Sequence, residues 1–152
     1  MAATRSNNPK KFLTQQELAR VTAKIAGAEQ MTSAEIKMVI LRQCWTDLRK
    51  KARKIFKKYR LDKTAGRNCV LIVLVTTNRE FLIYGDEGIH MKVRQHFWDE
   101  VRNAMLEKFK ENKFGEGLCA GIHLLGLKLA PVFPCQEGDV DEISNEVVFE
   151  NF

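Results

Sequence analysis

The chain has 152 residues, 45% of them hydrophobic and 29% charged, which is enough for one domain with a buried core. Its four cysteines lack a zinc-binding spacing, and its most apolar stretch, residues 118–133, is too short to cross a bilayer. These features exclude a zinc module and predict no membrane association. Together with the polar N-terminus and unpaired-looking cysteines, they predict a cytoplasmic protein.

The net charge of +6 is unevenly distributed. Residues 137–152 contain six acidic residues and no lysine or arginine, so the rest of the chain carries +12. We expect residues 1–11 to be a flexible lead, residues 12–136 to form an α/β domain, and residues 137–152 to be an acidic tail that packs on that domain. Within the tail, residues 147–149 are a short strand or a docking segment.

The first predicted helix follows Thr14, because Thr14 and Glu17 have capping-box spacing and apolar residues recur at helical intervals to about Gln30. A first strand covers Glu35–Leu41, and its apolar residues on both faces indicate a central position in a sheet. The second helix begins near Asp47 and turns an apolar stripe inward.

The second helix has a strongly basic outer face. The exposed side of residues 49–60 is predicted to carry eight cationic side chains, namely Arg49, Lys50, Lys51, Arg53, Lys54, Lys57, Lys58 and Arg60. Such a face is typical of a solvated surface, and the acidic tail is one way to screen it. The alternative is a surface that binds nucleic acid or an acidic protein, although it lacks interleaved aromatic residues for stacking on bases.

Two apolar runs, Cys69–Val75 and Phe81–Tyr84, are joined by a short polar loop and predict two antiparallel strands. The first run follows a strand and a crossover helix, so we expect it to lie parallel to Glu35–Leu41. The acidic loop Gly85–Gly88 then lies beside the beginnings of the two parallel strands.

The C-terminal half predicts two more helices, over residues 90–112 and 114–133. The buried face of the third helix is predicted to comprise Val93, Phe97, Val101, Ala104, Met105 and Phe109. In the fourth helix, Gly117 and Gly121 indicate a close approach of another backbone. The whole pattern predicts an α/β fold, a three-layer α/β/α sandwich whose mixed sheet combines a parallel β-α-β unit with an antiparallel hairpin strand.

This topology gathers acidic side chains at one edge of the sheet. Glu29 and Glu35 flank the start of the first strand, and Asp86 and Glu87 follow the third. Neighbouring carboxylates repel one another unless a cation neutralises them, and calcium or magnesium binds oxygen-rich sites of this kind. The alternative is a solvated acidic rim paired with Arg67, which the spacing alone favours.

A metal and a helix N-terminus at this edge would together suit a phosphate ester, whereas the commoner alternative is a helix start with no ligand. A helix that begins near His90 offers free N–H groups, which favour anions. Arg67 and Asn68 precede the second parallel strand and lie at the same edge. No P-loop, dinucleotide fingerprint or nucleophile elbow accompanies them.

Six segments of the chain follow one another in a recognisable order over residues 12–149. They are AEQMTSAEIKMVI at 28–40, ARKIFKKYRLDKTAGRNCVLIVLV at 52–75, REFLIYGDEGIH at 79–90, FWDEV at 97–101, KFGEGLCAGIHLLGLKLAPVFP at 113–134 and GDVDEISNEVVF at 138–149. Taken together, they resemble the TPM domain family, and in particular its short, soluble bacterial branch.

The resemblance implies an α/β/α sandwich, a divalent metal (usually calcium) in a loop cleft at one sheet edge, and, for some plant members, acid phosphatase activity. The positions that match the family motifs are Glu29, Glu35, Arg67, Asn68 and Asp86. Of these, Arg67 and Asn68 are the candidate substrate-binding residues that the resemblance implies. The chain departs from the family pattern at Gly66, Met91 and Arg94, and an arginine at the start of the third helix weakens the expected metal site.

Three hypotheses follow from the sequence. The first is a binding or accessory module that holds calcium, or alternatively magnesium, in a cleft formed by Glu29, Glu35, Asp86 and Glu87. The second is a metal-assisted phosphomonoesterase that uses the same cleft. The third, ranked lowest, is an adaptor that binds nucleic acid or an acidic protein through residues 49–60. The sequence predicts no oligomeric state.

Overall fold

The computed structural model describes residues 5–135 and 142–150, and within these ranges four strands form one mixed sheet in the order β3-β2-β1-β4. The strands are β1 (Glu35–Leu41), β2 (Cys69–Val75), β3 (Glu80–Gly85) and β4 (Val148–Glu150). β1 pairs in parallel with β2 and β4, whereas β3 pairs antiparallel with β2. The predicted parallel unit and its hairpin strand are confirmed.

Six α-helices are present in the same ranges. They are α1 (Pro9–Phe12), α2 (Gln15–Glu29), α3 (Leu48–Lys58), α4 (Glu87–His90), α5 (Gln95–Phe109) and α6 (Phe114–Leu129). None of the described helices is long and apolar enough to cross a membrane.

The sheet separates two hydrophobic cores. On one face, α3 packs on side chains such as Val39 and Leu71. On the other face, α2, α5 and α6 pack on alternate residues such as Ile36 and Ile72. Every residue of β1 and β2 is buried, as their continuous apolar sequences predict. The three-layer α/β/α sandwich is therefore confirmed.

The predicted third helix is wrong at its N-terminal end. α4 is a separate four-residue helix, and α5 begins only at Gln95, because Arg94 adopts an extended backbone that interrupts the helix. The later start changes the buried face, so Trp98 is buried in α5 while Val93 and Phe97 are half-buried. α5 and α6 also end earlier than predicted, at residues 109 and 129.

Residues 5–12 contribute to the fold. α1 begins after Asn8, whose side chain caps it, and Phe12 is fully buried. The guanidinium of Arg5 donates hydrogen bonds to both carboxylate oxygens of Glu17 at 2.7 and 2.9 Å. The predicted domain boundary at residue 12 thus falls inside α1, and the flexibility of the lead stays a prediction.

The described part of the tail, residues 142–150, lies against β1 and α3. β4 pairs with β1 in the register Val39 to Val148. The Glu150 carboxylate accepts hydrogen bonds from Lys58 Nζ at 2.7 Å and from the Tyr59 hydroxyl at 2.6 Å. The other residues of the predicted tail, 137–141 and 151–152, lie outside the described residues.

Candidate functional site

The loop after β3 lies beside the beginnings of β1 and β2. Glu35 pairs with Cys69 across the parallel strands, and Val70 pairs with Gly85 across the antiparallel strands. The backbone N–H of Asp86 donates to the Cys69 carbonyl at 2.9 Å, so the loop continues directly from the sheet. We define the loop cleft by the residues predicted here, namely Glu29, Glu35, Arg67, Asn68, Asp86 and Glu87.

Asp86 is buried and fully engaged in hydrogen bonds. Arg67 Nε donates to Oδ2 and Arg67 Nη2 donates to Oδ1, both at 2.8 Å. The backbone N–H of Glu87 also donates to Oδ1 at 2.8 Å, which makes Asp86 the N-cap of α4. A bidentate arginine–carboxylate pair is a strong, directional contact. The anion at this helix start is therefore the carboxylate of Asp86 itself.

Arg67 is placed on Asp86 by a close contact between two backbones. Arg67 adopts a left-handed conformation with φ of 49°, and its carbonyl accepts the N–H of Gly88 at 2.9 Å. A Cβ atom on Gly88 would lie 2.3 Å from the Gly66 carbonyl oxygen, so only glycine fits there. Hydrogen bonding and charge from Asp86 raise the pKa of Arg67 above its usual value, which keeps the guanidinium charged.

Glu29 and Glu35 reach the same edge but bind the backbone. Glu29 Oε2 accepts the N–H of Ile36 at 2.8 Å, which connects α2 to β1. Glu35 is 4% exposed, and its Oε1 accepts the N–H of Ile143 at 2.7 Å, which connects the tail to β1. Both carboxylates therefore stabilise the junctions of neighbouring elements.

Cys69, the first residue of β2, lies next to two of these carboxylates: it is paired with Glu35 across the strands, and its carbonyl accepts the N–H of Asp86. Burial, followed by the negative charges of Glu35, Asp86 and Glu29, raises the pKa of the Cys69 thiol well above its usual value. The thiol therefore stays protonated and is a poor nucleophile. The strand register places Glu35 and Asp86 at the beginning of β2.

A buried cation accompanies these acids on β1. Lys37 is 5% exposed, and its ammonium donates to the carbonyls of Ser144 and Glu146 at 3.1 and 2.7 Å. Burial lowers the pKa of Lys37, whereas the charges of Glu146 and Glu29 act in the opposite direction. The region around the loop cleft thus contains cations of its own.

The remaining two predicted residues have different environments. Asn68 is buried, and its side-chain amide donates to the Ser33 carbonyl at 3.3 Å. Glu87 points into solvent with a side chain that is 67% exposed, 3.5 Å from Arg67 Nη1. The structure therefore places Arg67 on Asp86 and leaves Glu87 at the exposed rim of the cleft. Glu29 and Glu35 lie at the same sheet edge, on backbone N–H groups.

In this arrangement the loop cleft does not fit a metal ion. Calcium takes six to eight oxygen ligands and magnesium about six. Both Asp86 oxygens already accept bonds from Arg67, while Glu29 and Glu35 accept backbone N–H groups. Within residues 5–135 and 142–150, no group of three histidine, cysteine, aspartate or glutamate side chains is arranged to hold a metal.

A second concave surface, which the sequence analysis missed, lies along the free edge of β3. We call it the β3 groove, and it is lined by Arg49, Phe81, Leu82, Ile83, His90, Gln95, Trp98, Asp99 and Arg102, with a volume of about 140 Å³. His90, the last residue of α4, also lies here, with its ring 5.5 Å from that of Trp98. Only the order of the strands reveals this surface, because its residues come from four separate elements.

The predicted basic face of α3 is largely exposed. Arg49, Lys50, Arg53, Lys54, Lys57, Lys58 and Arg60 are exposed, and Lys51 is half-buried. Lys58 and Lys51 approach Glu150 at 2.7 and 3.8 Å, so the tail neutralises part of one end of this face.

The comparison with protein families is decisive for classification. The model of the TPM domain family matches residues 6–127. The chain belongs to the TPM domain family. The resemblance identified from the sequence motifs is thereby confirmed.

Solved structures agree with this assignment. The BA42 protein of the psychrophilic bacterium Bizionia argentinensis is 34% identical to this TPM domain, with a TM-score of 0.90 over 95% of this chain and 100% of that one. The N-terminal domain of cg2496 from Corynebacterium glutamicum is 13% identical, with a TM-score of 0.64 over 86% and 81% of the two chains. At that identity, the second likeness shows the fold alone.

One curated relative is a much longer protein. The FAD-dependent monooxygenase DEP2 of Fusarium langsethiae is 31% identical over 106 residues, which are 68% of this chain and 20% of that protein. The TPM domain chain thus spans about a fifth of the length of the curated relative that it matches.

Proposed function

We propose that this TPM domain acts as a binding or accessory module, and that Arg67, rather than a metal, holds its loop cleft closed. The observation that carries the proposal is the bidentate pair between Arg67 and the buried Asp86, with both distances at 2.8 Å. The Arg67 guanidinium neutralises the Asp86 carboxylate, which a catalytic metal would need as a ligand. The engagement of Glu29 and Glu35 with backbone N–H groups supports the same reading.

Calcium, or alternatively magnesium, enters this proposal as a competitor of Arg67 for Asp86. The cleft contains four carboxylates against Arg67 and the neighbouring Lys37, and this charge favours a cation. The hydrogen bonding in the cleft opposes a bound cation, because the Arg67 guanidinium already occupies both carboxylate oxygens of Asp86. Removal of the guanidinium is therefore expected to increase the affinity of the cleft for a divalent cation.

Thermal unfolding with and without calcium tests this competition, since a ligand that binds only the folded state raises the melting temperature. We expect millimolar calcium to raise the melting temperature of the wild-type chain by less than about 2 °C and that of the Arg67→Ala variant by several degrees. The variant Arg53→Ala, which removes an exposed arginine of α3 outside the cleft, should respond like the wild type. Adding Asp86→Asn to Arg67→Ala should abolish this rise in melting temperature.

Two results would contradict the competition. One is a large calcium shift in the wild type that Arg67→Ala does not increase, which would place the cation away from Asp86. The other is the absence of any shift in every variant with calcium, magnesium and manganese, which would remove metal binding from the proposal.

The phosphomonoesterase hypothesis is tested separately by hydrolysis of a chromogenic phosphate ester with added divalent metal. If the domain is a binding module, we expect no hydrolysis above that of the Asp86→Asn variant. Hydrolysis by the wild type that disappears in both Asp86→Asn and Glu29→Gln would overturn the non-catalytic assignment. Hydrolysis that survives both substitutions would come from another site or a contaminant.

A further inference from the structure

The outer edge of β3 is unusually unprotected for an edge strand of this length and composition. It has six residues, and residues 81–84 are all apolar or aromatic and half-buried. Edge strands of folded proteins are commonly short, or are protected by proline, lysine or a covering element. β4 at the opposite edge has only three residues, whereas β3 contains neither proline nor lysine.

The hydrogen-bonding pattern between β3 and β2 leaves some backbone N–H and C=O groups of β3 directed away from β2. The bond from Asp86 N–H to the Cys69 carbonyl marks a hydrogen-bonded pair, and such pairs alternate along an antiparallel ladder. Tyr84 and Leu82 therefore face β2 with their backbone groups, while Phe81 and Ile83 direct theirs toward the free edge. Among the described residues, no partner binds these outward groups.

Two walls flank this edge, and each carries an arginine. On the α3 side, the Arg49 guanidinium lies 6.0 Å from the centre of the Tyr84 ring. On the α5 side, Arg102 lines the groove together with Trp98. The carboxylate of Asp99, also on this side, accepts a hydrogen bond from Gln95 Nε2 at 3.0 Å. The groove thus combines free backbone groups with one arginine on each wall and one carboxylate, Asp99, on the α5 wall.

We propose that the β3 groove binds an extended acidic peptide segment of a partner protein, which adds to the sheet as a strand beside β3. Strand addition of this kind takes its affinity from backbone hydrogen bonds and its specificity from alternate side chains. Successive side chains of a strand point to opposite faces. Adjacent acidic residues in the peptide would therefore reach Arg49 on one wall and Arg102 on the other. This inference goes beyond the proposed function, because it concerns a different surface from the loop cleft.

The observations disfavour two other occupants. The described part of this chain's own acidic tail is already paired with β1 at the opposite edge, in the register Val39 to Val148. A second copy paired edge to edge would bring Arg49 and Arg102 of both grooves together, which costs electrostatic energy. An acidic peptide instead complements both walls.

The probe for this proposal is a fluorescein-labelled, end-blocked eight-residue peptide with an aspartate and a glutamate side by side at its centre, flanked by valines and threonines. A matched peptide carries asparagine and glutamine in place of the two acids. A third keeps the acids but has alternate backbone amides N-methylated, which blocks strand pairing. Fluorescence anisotropy measures binding to the full chain, and amide NMR shifts locate it.

We expect the acidic peptide to bind with the largest amide shifts at Phe81 and Ile83, and the other two peptides to bind at least tenfold more weakly. Arg49→Glu and Arg102→Glu should each weaken binding roughly five- to tenfold. Lys54→Glu makes the same charge change on the exposed basic face outside the groove and should alter binding less than twofold. Ile83→Pro removes an outward N–H that β2 does not use and should abolish binding, with the circular dichroism spectrum reporting the retained fold.

Several results would overturn the proposal. Equal weakening by Lys54→Glu and Arg49→Glu would indicate nonspecific attraction to a basic surface. Equal binding of the N-methylated peptide would exclude strand addition. Absence of binding by the acidic peptide up to millimolar concentration would reject an acidic partner. Concentration-dependent dimerisation in sedimentation, abolished by Ile83→Pro, would instead assign the edge to a second copy of the chain.

Discussion

At the scale of single residues, Glu17 shows how a predictable motif can have an unpredictable partner. Its reciprocal bonds with Thr14 form the capping box that the sequence indicates. The same carboxylate also accepts the N–H of Gly115 at 3.1 Å and two bonds from Arg5. The local spacing predicts the cap, but the contacts with distant segments arise only when the N-terminal segment and α6 meet over α2.

Glu17 gives a prediction for acid stability. Burial by itself raises the pKa of its carboxyl, but hydrogen bonds from Arg5 and from the N–H groups of Thr14 and Gly115, together with the charge of Arg5, lower it to about 2. Because this pKa lies below the ordinary 4.5, the contribution to stability is complete above about pH 4.5 and is lost as the pH falls toward 2.

The variant Glu17→Gln should lower the free energy of unfolding at pH 7 by about 1–3 kcal/mol, because charge-assisted bonds are replaced by weaker ones. Its stability should also fall less steeply than that of the wild type between pH 4.5 and 2. Urea denaturation across this pH range measures both effects. Glu107→Gln, at an exposed position in α5, is the matched control, and an acid response identical to that of Glu17→Gln would refute the assignment.

At the scale of elements, hydrophobic periodicity predicts α2, α3 and the central strands well, because each buries a regular stripe or run. It fails at the start of α5, where Arg94 is extended although its neighbours continue a helical pattern. It succeeds again in α6, whose Gly117 and Gly121 lie against Phe109 and Met105 of α5. Periodicity identifies which face is buried, but the ends of helices depend on local backbone geometry.

Gly117 and Gly27 form a matched pair that tests this helix packing. A Cβ on Gly117 would lie 2.6 Å from the Phe109 ring and 3.0 Å from the Met105 carbonyl oxygen, whereas a Cβ on Gly27 meets nothing within 4 Å. Gly117→Ala should therefore destabilise the domain by roughly 1–3 kcal/mol. Gly27→Ala, in α2, should stabilise it by about 0.5–1 kcal/mol. Urea denaturation gives both values, and a neutral Gly117→Ala would contradict the close approach of α5 and α6.

At the scale of the whole molecule, strand direction is what the sequence predicts best. Parallel pairing of β1 with β2 and antiparallel pairing of β3 bring Glu35, Cys69 and Asp86 to one edge, as expected. Pairing with Arg67 was the expected alternative to a metal site, but the bonding arrangement of each carboxylate could not be predicted. It depends on a left-handed residue, Arg67, that turns its side chain onto Asp86, and on residue 143 of the tail, which binds Glu35.

The free edge of β3 was equally hidden, because it depends on the order of all four strands. The sequence suggested a short strand at residues 147–149 without assigning it a neighbour. β4 pairs with β1, which places β3 alone at the opposite edge. The β3 groove is therefore a property of the assembled sheet and of no single motif.

The central claim is that Arg67 occupies Asp86 in competition with a divalent cation, and calcium titration by isothermal calorimetry tests it most directly. We expect Arg67→Ala to bind one calcium ion at least tenfold more tightly than the wild type, and Arg67→Ala combined with Asp86→Asn to lose that binding. Equal calcium affinity in the wild type and Arg67→Ala, unaffected by Asp86→Asn, would contradict the claim.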